Sequence, residues 1–408
     1  MAVKSNKFAL YILMFNMFIA MSGIGLIIPI MPAYLDTFGV AGQVLGTLIA
    51  TFAFAQFLFS PLSGQLSDKY GRKKLIIFGL VVFGMSQLVF GLATELWVLY
   101  LARFFSGLGA AFLIPPMMAF VADITTYEER GKGMGLLGAS MSLGFMIGPG
   151  FGGFLAEVSL QFPFYIAALV ATLAAIMSYI ALPDVAPTIQ QAENKKENLW
   201  QQMKRSVYMP YFVMLLVMFI FAFGLSNFQS TIALYVDKEH GFTPKEISIL
   251  ITVGGFVGVI IQTFVIDRLF KRYGEMNVIL VNLLVSAAAM IGILFVNTFW
   301  TILLVSAVFF TAASLLRPAI NTLISKLAGD QQGYAAGMNN AYMSLGNMIG
   351  PALAGILFDI NMIYPYIVGT AILLICFFIA SSWSAKKQQL LQETRSVAPA
   401  GKGEIQKG

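Results

Sequence analysis

The sequence has little histidine, little cysteine and few charged residues. It contains one His and one Cys in 408 residues, which excludes a histidine or cysteine metal cluster and any internal disulfide. Charged residues make up 11% of the chain, against roughly 25% in soluble domains. With 58% hydrophobic residues, the chain cannot cover a water-facing surface. We therefore expect a membrane protein with no metal or other cofactor and no nucleic-acid partner.

Long apolar runs are abundant instead. A membrane helix needs about 20 mostly apolar residues, and twelve such runs are present. They cover residues 8–35, 44–66, 75–94, 97–122, 134–157 and 163–182, and then 210–236, 246–270, 276–296, 299–325, 335–359 and 363–384. They are continuous rather than alternating, which excludes a barrel. The sequence predicts an all-α membrane protein with twelve transmembrane helices, numbered here as spans 1–12.

Positive charge predicts the orientation of the chain. If both termini are cytoplasmic, that side holds 21 of the 25 Lys and Arg residues, and the opposite side holds only Lys238 and Lys245. Cytoplasmic loops carry this excess of positive charge, so we expect a multi-pass plasma-membrane protein with both termini in the cytoplasm. The predicted domains are a six-helix bundle 1–182, a cytoplasmic linker 183–207, a second bundle 208–385 and a tail 386–408.

The two halves repeat each other in sequence. MSLGFMIGPG (Met141–Gly150) returns as MSLGNMIGPA (Met343–Ala352), 202 residues later, and KYG (Lys69–Gly71) returns as RYG (Arg272–Gly274), 203 residues later. Two six-span halves of the same orientation form a parallel repeat, with a substrate site between them near the membrane midplane. Two similar bundles that rock about such a site provide alternating access.

The loop between spans 2 and 3, GQLSDKYGRKKL (Gly64–Leu75), resembles the loop signature of the major facilitator superfamily. The resemblance implies the major facilitator fold and a charge network that latches its outward-open state. The latch residues it implies are Gly64, Asp68, Gly71 and Arg72, with Asp123 at the end of span 4. The second-half copy, DRLFKRYG (Asp267–Gly274), is degenerate.

Span 5 carries GFMIGPGFGG (Gly144–Gly153). Small residues four apart allow two membrane helices to pack closely, and proline removes a backbone hydrogen bond and favours a bend. The segment also resembles the antiporter signature of the superfamily's proton-driven exporters. Its residues are Gly144, Gly148, Pro149, Gly152 and Gly153.

Nearly the whole chain is similar to the NorA/Bmr-type multidrug exporters of this superfamily, through GIGLIIPIMPAYL (Gly23–Leu35), GLSNFQS (Gly224–Ser230), LLRPAIN (Leu315–Asn321) and GMNNAYMSLGNMIGP (Gly337–Pro351). The positions that match the family's substrate pocket are Gln56, Arg103, Phe145, Gln229, Ser314, Arg317 and Asn339. An aromatic- and Met-rich cavity suits flat amphiphiles, because these side chains repack easily.

The sequence departs from that family at its pocket carboxylates, which are replaced here by Gln229 and Ser314. None of the 19 Asp and Glu residues lies near the middle of a span. A proton-coupled exporter needs a titrating group, and the remaining candidates are Asp36, Asp123 and Glu157. With arginines but no acid inside the spans, the pocket favours neutral, zwitterionic or anionic amphiphiles over lipophilic cations.

These features predict a secondary active transporter, not an enzyme, that acts as a monomer in the lipid bilayer. Its expected substrates are drug-like amphiphiles such as quinolones, phenicols and dyes, exported in exchange for protons. Two alternatives stay open. One is an exporter or facilitator of a single metabolite, such as a sugar or lipid precursor, and the other is a non-transporting membrane sensor.

Overall fold

The structure, a computed structural model, describes residues 7–40, 42–184, 199–328 and 332–397. Within them every regular element is a helix, and twelve helices are long and apolar enough to cross a membrane. Spans 1–6 are Lys7–Gly25, Gly42–Tyr70, Arg72–Gly91, Leu96–Ile124, Lys132–Leu155 and Phe162–Ala181. Spans 7–12 are Phe212–His240, Pro244–Ile266, Arg268–Phe295, Phe299–Ala328, Tyr334–Ile360 and Tyr364–Ala385. The prediction of an all-α protein with twelve spans is confirmed.

Span 4 is interrupted, which the sequence prediction of one continuous run did not anticipate. It consists of two helices, Leu96–Ala111 and Ile114–Ile124. Pro115 and Pro116 follow the break directly. Because proline has no N–H and its ring collides with the preceding turn, the ladder of helical hydrogen bonds ends and restarts there.

The first and last spans and the linker differ from the predicted runs: the run 8–35 is divided into two helices, the linker contains a short helix, and the last helix is longer than predicted. The helix Met31–Asp36 follows span 1, and the helix Leu199–Ser206 lies in the predicted linker, of which residues 185–198 fall outside the described residues. The Ser206 hydroxyl lies 3.0 Å from the hydroxyl of Tyr342 on span 11. The last helix runs Tyr364–Val397, so it continues into the segment expected to be a polar tail. The rest of that tail, 398–408, and residues 1–6 also lie outside the described residues.

One apolar core lies within the first half, and a larger one joins the second half to residues of spans 2, 3, 4 and 6. Buried polar contacts between spans add to both. In the first half, Asn16 on span 1 donates to the Ser178 hydroxyl on span 6 at 2.8 Å. In the second half, Asn227 on span 7 donates to the backbone carbonyl of Pro365 at 2.9 Å. Large apolar side chains on the outside of the bundle, such as Ile180 and Trp300, are about 75% exposed. A surface of this kind is suited to lipid rather than to water.

Spans 1 and 5 pack backbone against backbone through the glycines of the predicted antiporter signature. A Cβ added at Gly144, Gly148 or Gly152 would collide with backbone atoms of span 1, at Phe18, Ser22 and Leu26 respectively. The three glycines lie one turn apart and therefore form a single smooth face. Gly153 lies beside that face and packs against Ser248 of span 8, in the other half.

The two halves meet at only one end of the spans described here. We call the end that carries the loop between spans 2 and 3 the inner end, and the opposite end the outer end. At the outer end, Gly46 of span 2 lies against the backbone of Pro351, and Gly355 of span 11 lies against the backbone of Gly42. Spans 5 and 8 meet at the same end, where Gly153 packs against Ser248.

The same helix faces are open at the inner end. Gly64, Gly135 and Gly337 each lie 18 residues from a glycine of the outer contact, namely Gly46, Gly153 and Gly355. Eighteen residues are about five turns, so each pair shares one face of its helix. A Cβ added at any of the three inner glycines would meet no atom within 4 Å. The halves are therefore packed together at the outer end and separated along spans 2, 5 and 11 at the inner end.

The backbone contact between spans 1 and 5 predicts a severe cost for any side chain there. In a Gly148→Leu variant, the new Cβ would lie 2.5 Å from the carbonyl oxygen of Ser22, so we expect a loss of about 3 kcal/mol or more from overpacking. The single cysteine, Cys376, is 1% exposed, so its reaction with a thiol-specific dye on heating reports unfolding. Gly138→Leu, at a site with open space, is the control. An unchanged melting temperature for Gly148→Leu would contradict the packing.

Candidate transport site

The predicted latch residues are brought together around one buried guanidinium at the inner end. Arg72 is 8% exposed. Its Nε donates to Oδ2 of Asp123 at 3.0 Å, and its Nη1 donates to the Ser67 hydroxyl at 3.0 Å and also pairs with Asp68. Gly71 supplies the tight turn into span 3, with φ of 95°, a conformation that other residues rarely adopt. The network ties spans 2, 3 and 4 together within the first half.

The second half carries a charge-reversed copy of this pair. Lys326 at the end of span 10 donates to Oε1 of Glu275 at 2.5 Å. Both pairs join residues 51 positions apart, and Glu275 follows Gly274, which has φ of 77°, as Arg72 follows Gly71. The sequence segment Asp267–Gly274 is a degenerate copy of the motif and does not reveal this pair, because the motif is defined with Asp and Arg and here the acid and the base have exchanged places.

An acidic clamp closes the outer end between the halves. Asp359, near the end of span 11, accepts hydrogen bonds from the backbone N–H groups of Gly42 and Gln43 at 2.9 and 2.8 Å. These are the first two residues of span 2, where the helix dipole favours a negative charge. Sequence reasoning missed Asp359, because its partner is a helix N-terminus more than 300 residues away and not another side chain.

An ion pair joins the halves beside that clamp. Lys245 of span 8 donates to Oε1 of Glu157 at 2.9 Å, and both side chains are about half exposed. Glu157 is one of the predicted proton-coupling candidates. Of the other two, Asp123 lies in the inner latch and Asp36 is exposed at the end of the helix Met31–Asp36. The structure places all three at the ends of the spans.

Arg103 is buried in the outer half of span 4. Its side chain is 4% exposed, its guanidinium lies 5.2 Å from the ring centroid of Phe52, and its Nε and Nη1 have no hydrogen-bond partner among the described residues. It borders a cavity of about 20 Å³, lined by Ile27, Ile28, Met31, Leu45, Ile49 and Ser230. Ser230 belongs to span 7, so the cavity lies between the halves. A cavity of this size holds about one water molecule.

The other predicted pocket residues lie on both halves. Gln56, Phe145 and Gln229 are half-buried, and Gln229 directly precedes Ser230 of the Arg103 cavity. Ser314 donates to the backbone carbonyl of Gly258 on span 8 at 2.9 Å. Asn339 on span 11 is 9% exposed and donates to the Asn321 side chain on span 10 at 2.8 Å, while its own carbonyl oxygen has no partner in the described part of the chain.

Arg317 differs from Arg103 in being exposed. It lies on span 10 between Ser314, which contacts span 8, and Asn321, which contacts span 11. The described residues place no acid within ion-pair distance of either arginine. The candidate site therefore combines apolar walls, a few amides and hydroxyls, and two cationic side chains at different depths. Small-molecule sites in proteins are commonly built from apolar walls with a few polar groups.

Two six-helix halves that pack at one end and separate at the other define a membrane transporter built for alternating access. A family model described as Major Facilitator Superfamily matches residues 13–296 and 214–406, and the chain belongs to that superfamily. It is thus a transporter and not an enzyme.

Curated relatives and solved structures agree with this assignment. The chain is 40% identical to Multidrug resistance protein 2 of Bacillus subtilis (strain 168), over 95% of this chain and 98% of that protein. It is 38% identical to Quinolone resistance protein NorA of Staphylococcus aureus (strain COL), over 87% and 91% of the two chains. Its fold is similar to that of a bacterial homolog of the human lysosomal transporter Spinster in an inward-facing and occupied conformation, with a TM-score of 0.77, 16% identity and coverage of 93% and 97%.

Removing the outer clamp is predicted to separate the outer ends. Asp359→Ala leaves two N–H groups of span 2 without their carboxylate, and loss of a charged helix cap costs about 1 kcal/mol. Ser248 is fully buried at the outer contact, so a cysteine placed there reports its opening. We expect the thiol of a Ser248→Cys, Cys376→Ser variant to react with an impermeant maleimide roughly five- to tenfold faster when Asp359→Ala is also present. Glu95→Ala, at an exposed acid of the same end, is the control, and equal rates would contradict the clamp.

Proposed function

We propose that this chain is a plasma-membrane efflux transporter for drug-like amphiphiles, such as quinolones, phenicols and dyes, which it exports in exchange for protons. The inner end, with both termini, is assigned to the cytoplasm. The observation that carries the proposal is the open inner end, with half-buried and exposed polar residues of both halves behind it. The names of the similar proteins, a multidrug and a quinolone resistance protein, support the substrate class.

Alternating access follows from the shared glycine faces. The faces that carry Gly46 and Gly355 are now in contact at the outer end, and their inner extensions carry Gly64 and Gly337 in open space. If the halves rock about the centre, the inner glycines come into contact as the outer ones separate. Small residues are needed at both ends because both contacts bring backbones together.

Energy coupling is assigned to carboxylates at the ends of the spans, since none lies near a span centre. Glu157 bridges the halves only while the outer end is closed. When that end opens, Glu157 separates from Lys245, and its carboxylate can exchange a proton with the outside. Asp123 has the complementary position at the inner end, and Asp36 is the third candidate. A single chain holds all of these groups, so the proposed working unit is a monomer.

Substrate-dependent proton movement tests the proposal directly. Everted vesicles with a pH-quenched dye are energised, and norfloxacin, chloramphenicol and ethidium are added in turn. We expect release of protons from the lumen for at least one of these compounds, and none in vesicles that lack the protein. Silence with all three, with folded protein shown to be present, would overturn the proposal in favour of one specific metabolite.

A bulky residue at an inner glycine is predicted to trap the transporter open to the cytoplasm. Gly337→Leu fills space that is empty in this conformation, so the melting temperature should stay within a few degrees of the wild type. Inner closure brings backbones into contact, so export should fall at least tenfold, and Gly337→Ala should lie in between. Substrate-dependent proton release and thiol-dye melting measure the two effects. Full export by Gly337→Leu would show that this face does not close.

A further inference from the structure

The charges inside the membrane have one sign. Arg103 and Arg317 are the two arginines away from the span ends, and the Asp and Glu residues of the described spans lie toward the ends. An intramembrane charge is expensive and needs a partner or a function. The described residues give neither arginine an ion-pair partner, so a ligand of opposite charge would supply the partner that they lack.

Arg317 is open to the inner side. Trp300, Leu304 and Val308 on the same helix are 74%, 65% and 41% exposed, and they mark its lipid face. Arg317 follows Val308 by nine residues, or about two and a half turns, which places it on the opposite face. Its flanking residues contact spans 8 and 11, two of the spans that meet the first half. Its exposure is therefore to the space between the halves, which is open at the inner end.

Arg103 is closed to that space in the present conformation. It is 4% exposed beside a cavity of about 20 Å³, far too small for a drug-sized molecule. The cavity is lined by residues of both halves, including Met31 and Ser230. Separation of the halves at the outer end would therefore enlarge it. The two unpaired nitrogens of Arg103 would then become accessible to a ligand.

From this arrangement we infer that the transport site selects amphiphiles that carry an ionised acid group, such as a carboxylate. The acid pairs first with Arg317 from the cytoplasm and then with Arg103 when the outer end opens. A guanidinium binds a carboxylate through two parallel hydrogen bonds, and the apolar residues around Arg103 suit the rest of an amphiphile. The inference rests on the proposed export function and adds to it the charge of the substrate and the order of its two contacts.

Two forms of one dye distinguish the contribution of the acid group to transport from the contribution of the rest of the molecule. Rhodamine B carries a free carboxylate, and its ethyl ester has the same ring system without that charge. Transport of each into everted vesicles gives kcat and KM from the inner side. We expect wild-type kcat/KM to be at least tenfold higher for the acid than for the ester. Equal transport, or preference for the ester, would overturn the inference while leaving the export function in place.

Variants of the two arginines test the order of contacts. Arg317→Gln should lower the acid-to-ester ratio at least tenfold, mainly by raising KM for the acid, and Arg317→Lys should recover part of it. Arg103→Gln should lower the ratio mainly through kcat, because it acts after the outer end opens. Lys271→Gln, at an exposed residue of the inner end, should keep the wild-type ratio. An unchanged ratio in Arg317→Gln, or an equal loss of both dyes in Arg103→Gln, would overturn the corresponding step.

Purified protein in detergent covers the case in which transport is too weak to measure. Fluorescence polarisation of each dye should show at least tenfold tighter binding of the acid, and Arg317→Gln should remove that difference. Binding of neither dye, or equal binding of both, would overturn the inference. Failure of the proposed export function has a different signature, namely no proton release with norfloxacin, chloramphenicol or ethidium.

Discussion

Backbone-to-backbone contact between glycine faces is the constraint on which the rest of this structure depends. Lipid supplies no hydrophobic force between membrane helices, so their association relies on close packing. Spans 1 and 5 use Gly144, Gly148 and Gly152 for a contact inside one half. Spans 2 and 11 use Gly46 and Gly355 for a contact between halves. The first contact lies within one bundle, and the second forms part of the interface between the two bundles.

Polar groups pair at both ends of the spans. Asp359 and the pair Lys245–Glu157 act at the outer end between the halves. The pairs Arg72–Asp123 and Glu275–Lys326 each act at the inner end, within a half. Partly exposed ion pairs contribute about 1 kcal/mol or less each. Contacts of this size suit a transporter, because two conformations that interconvert differ by only a few kcal/mol.

The fold was predictable because a helix that crosses the lipid bilayer needs about 20 mostly apolar residues, and such runs are visible in the sequence. The complete loop signature Gly64–Leu75 then indicates the superfamily. The charge network around Arg72 was predictable from the same loop signature, and its role as a latch stays a prediction. Three features were not predictable. Asp359 pairs with a helix N-terminus in the other half. The pair Glu275–Lys326 does not match a motif that is defined with the opposite order of charges. The different exposure of Arg103 and Arg317 depends on which end of the bundle is closed. Each depends on three-dimensional contacts that sequence spacing does not contain.

The central claim is that the same spans touch at the outer end and at the inner end in turn. Spin labels at Lys69 of span 2 and Ala336 of span 11 report the inner distance. Labels at Glu95, just before span 4, and Asn361, just after span 11, report the outer distance. Double electron–electron resonance with substrate and a proton gradient should show the inner distance shortening as the outer distance lengthens. Two distances that stay fixed, or that change in the same direction, would contradict the account.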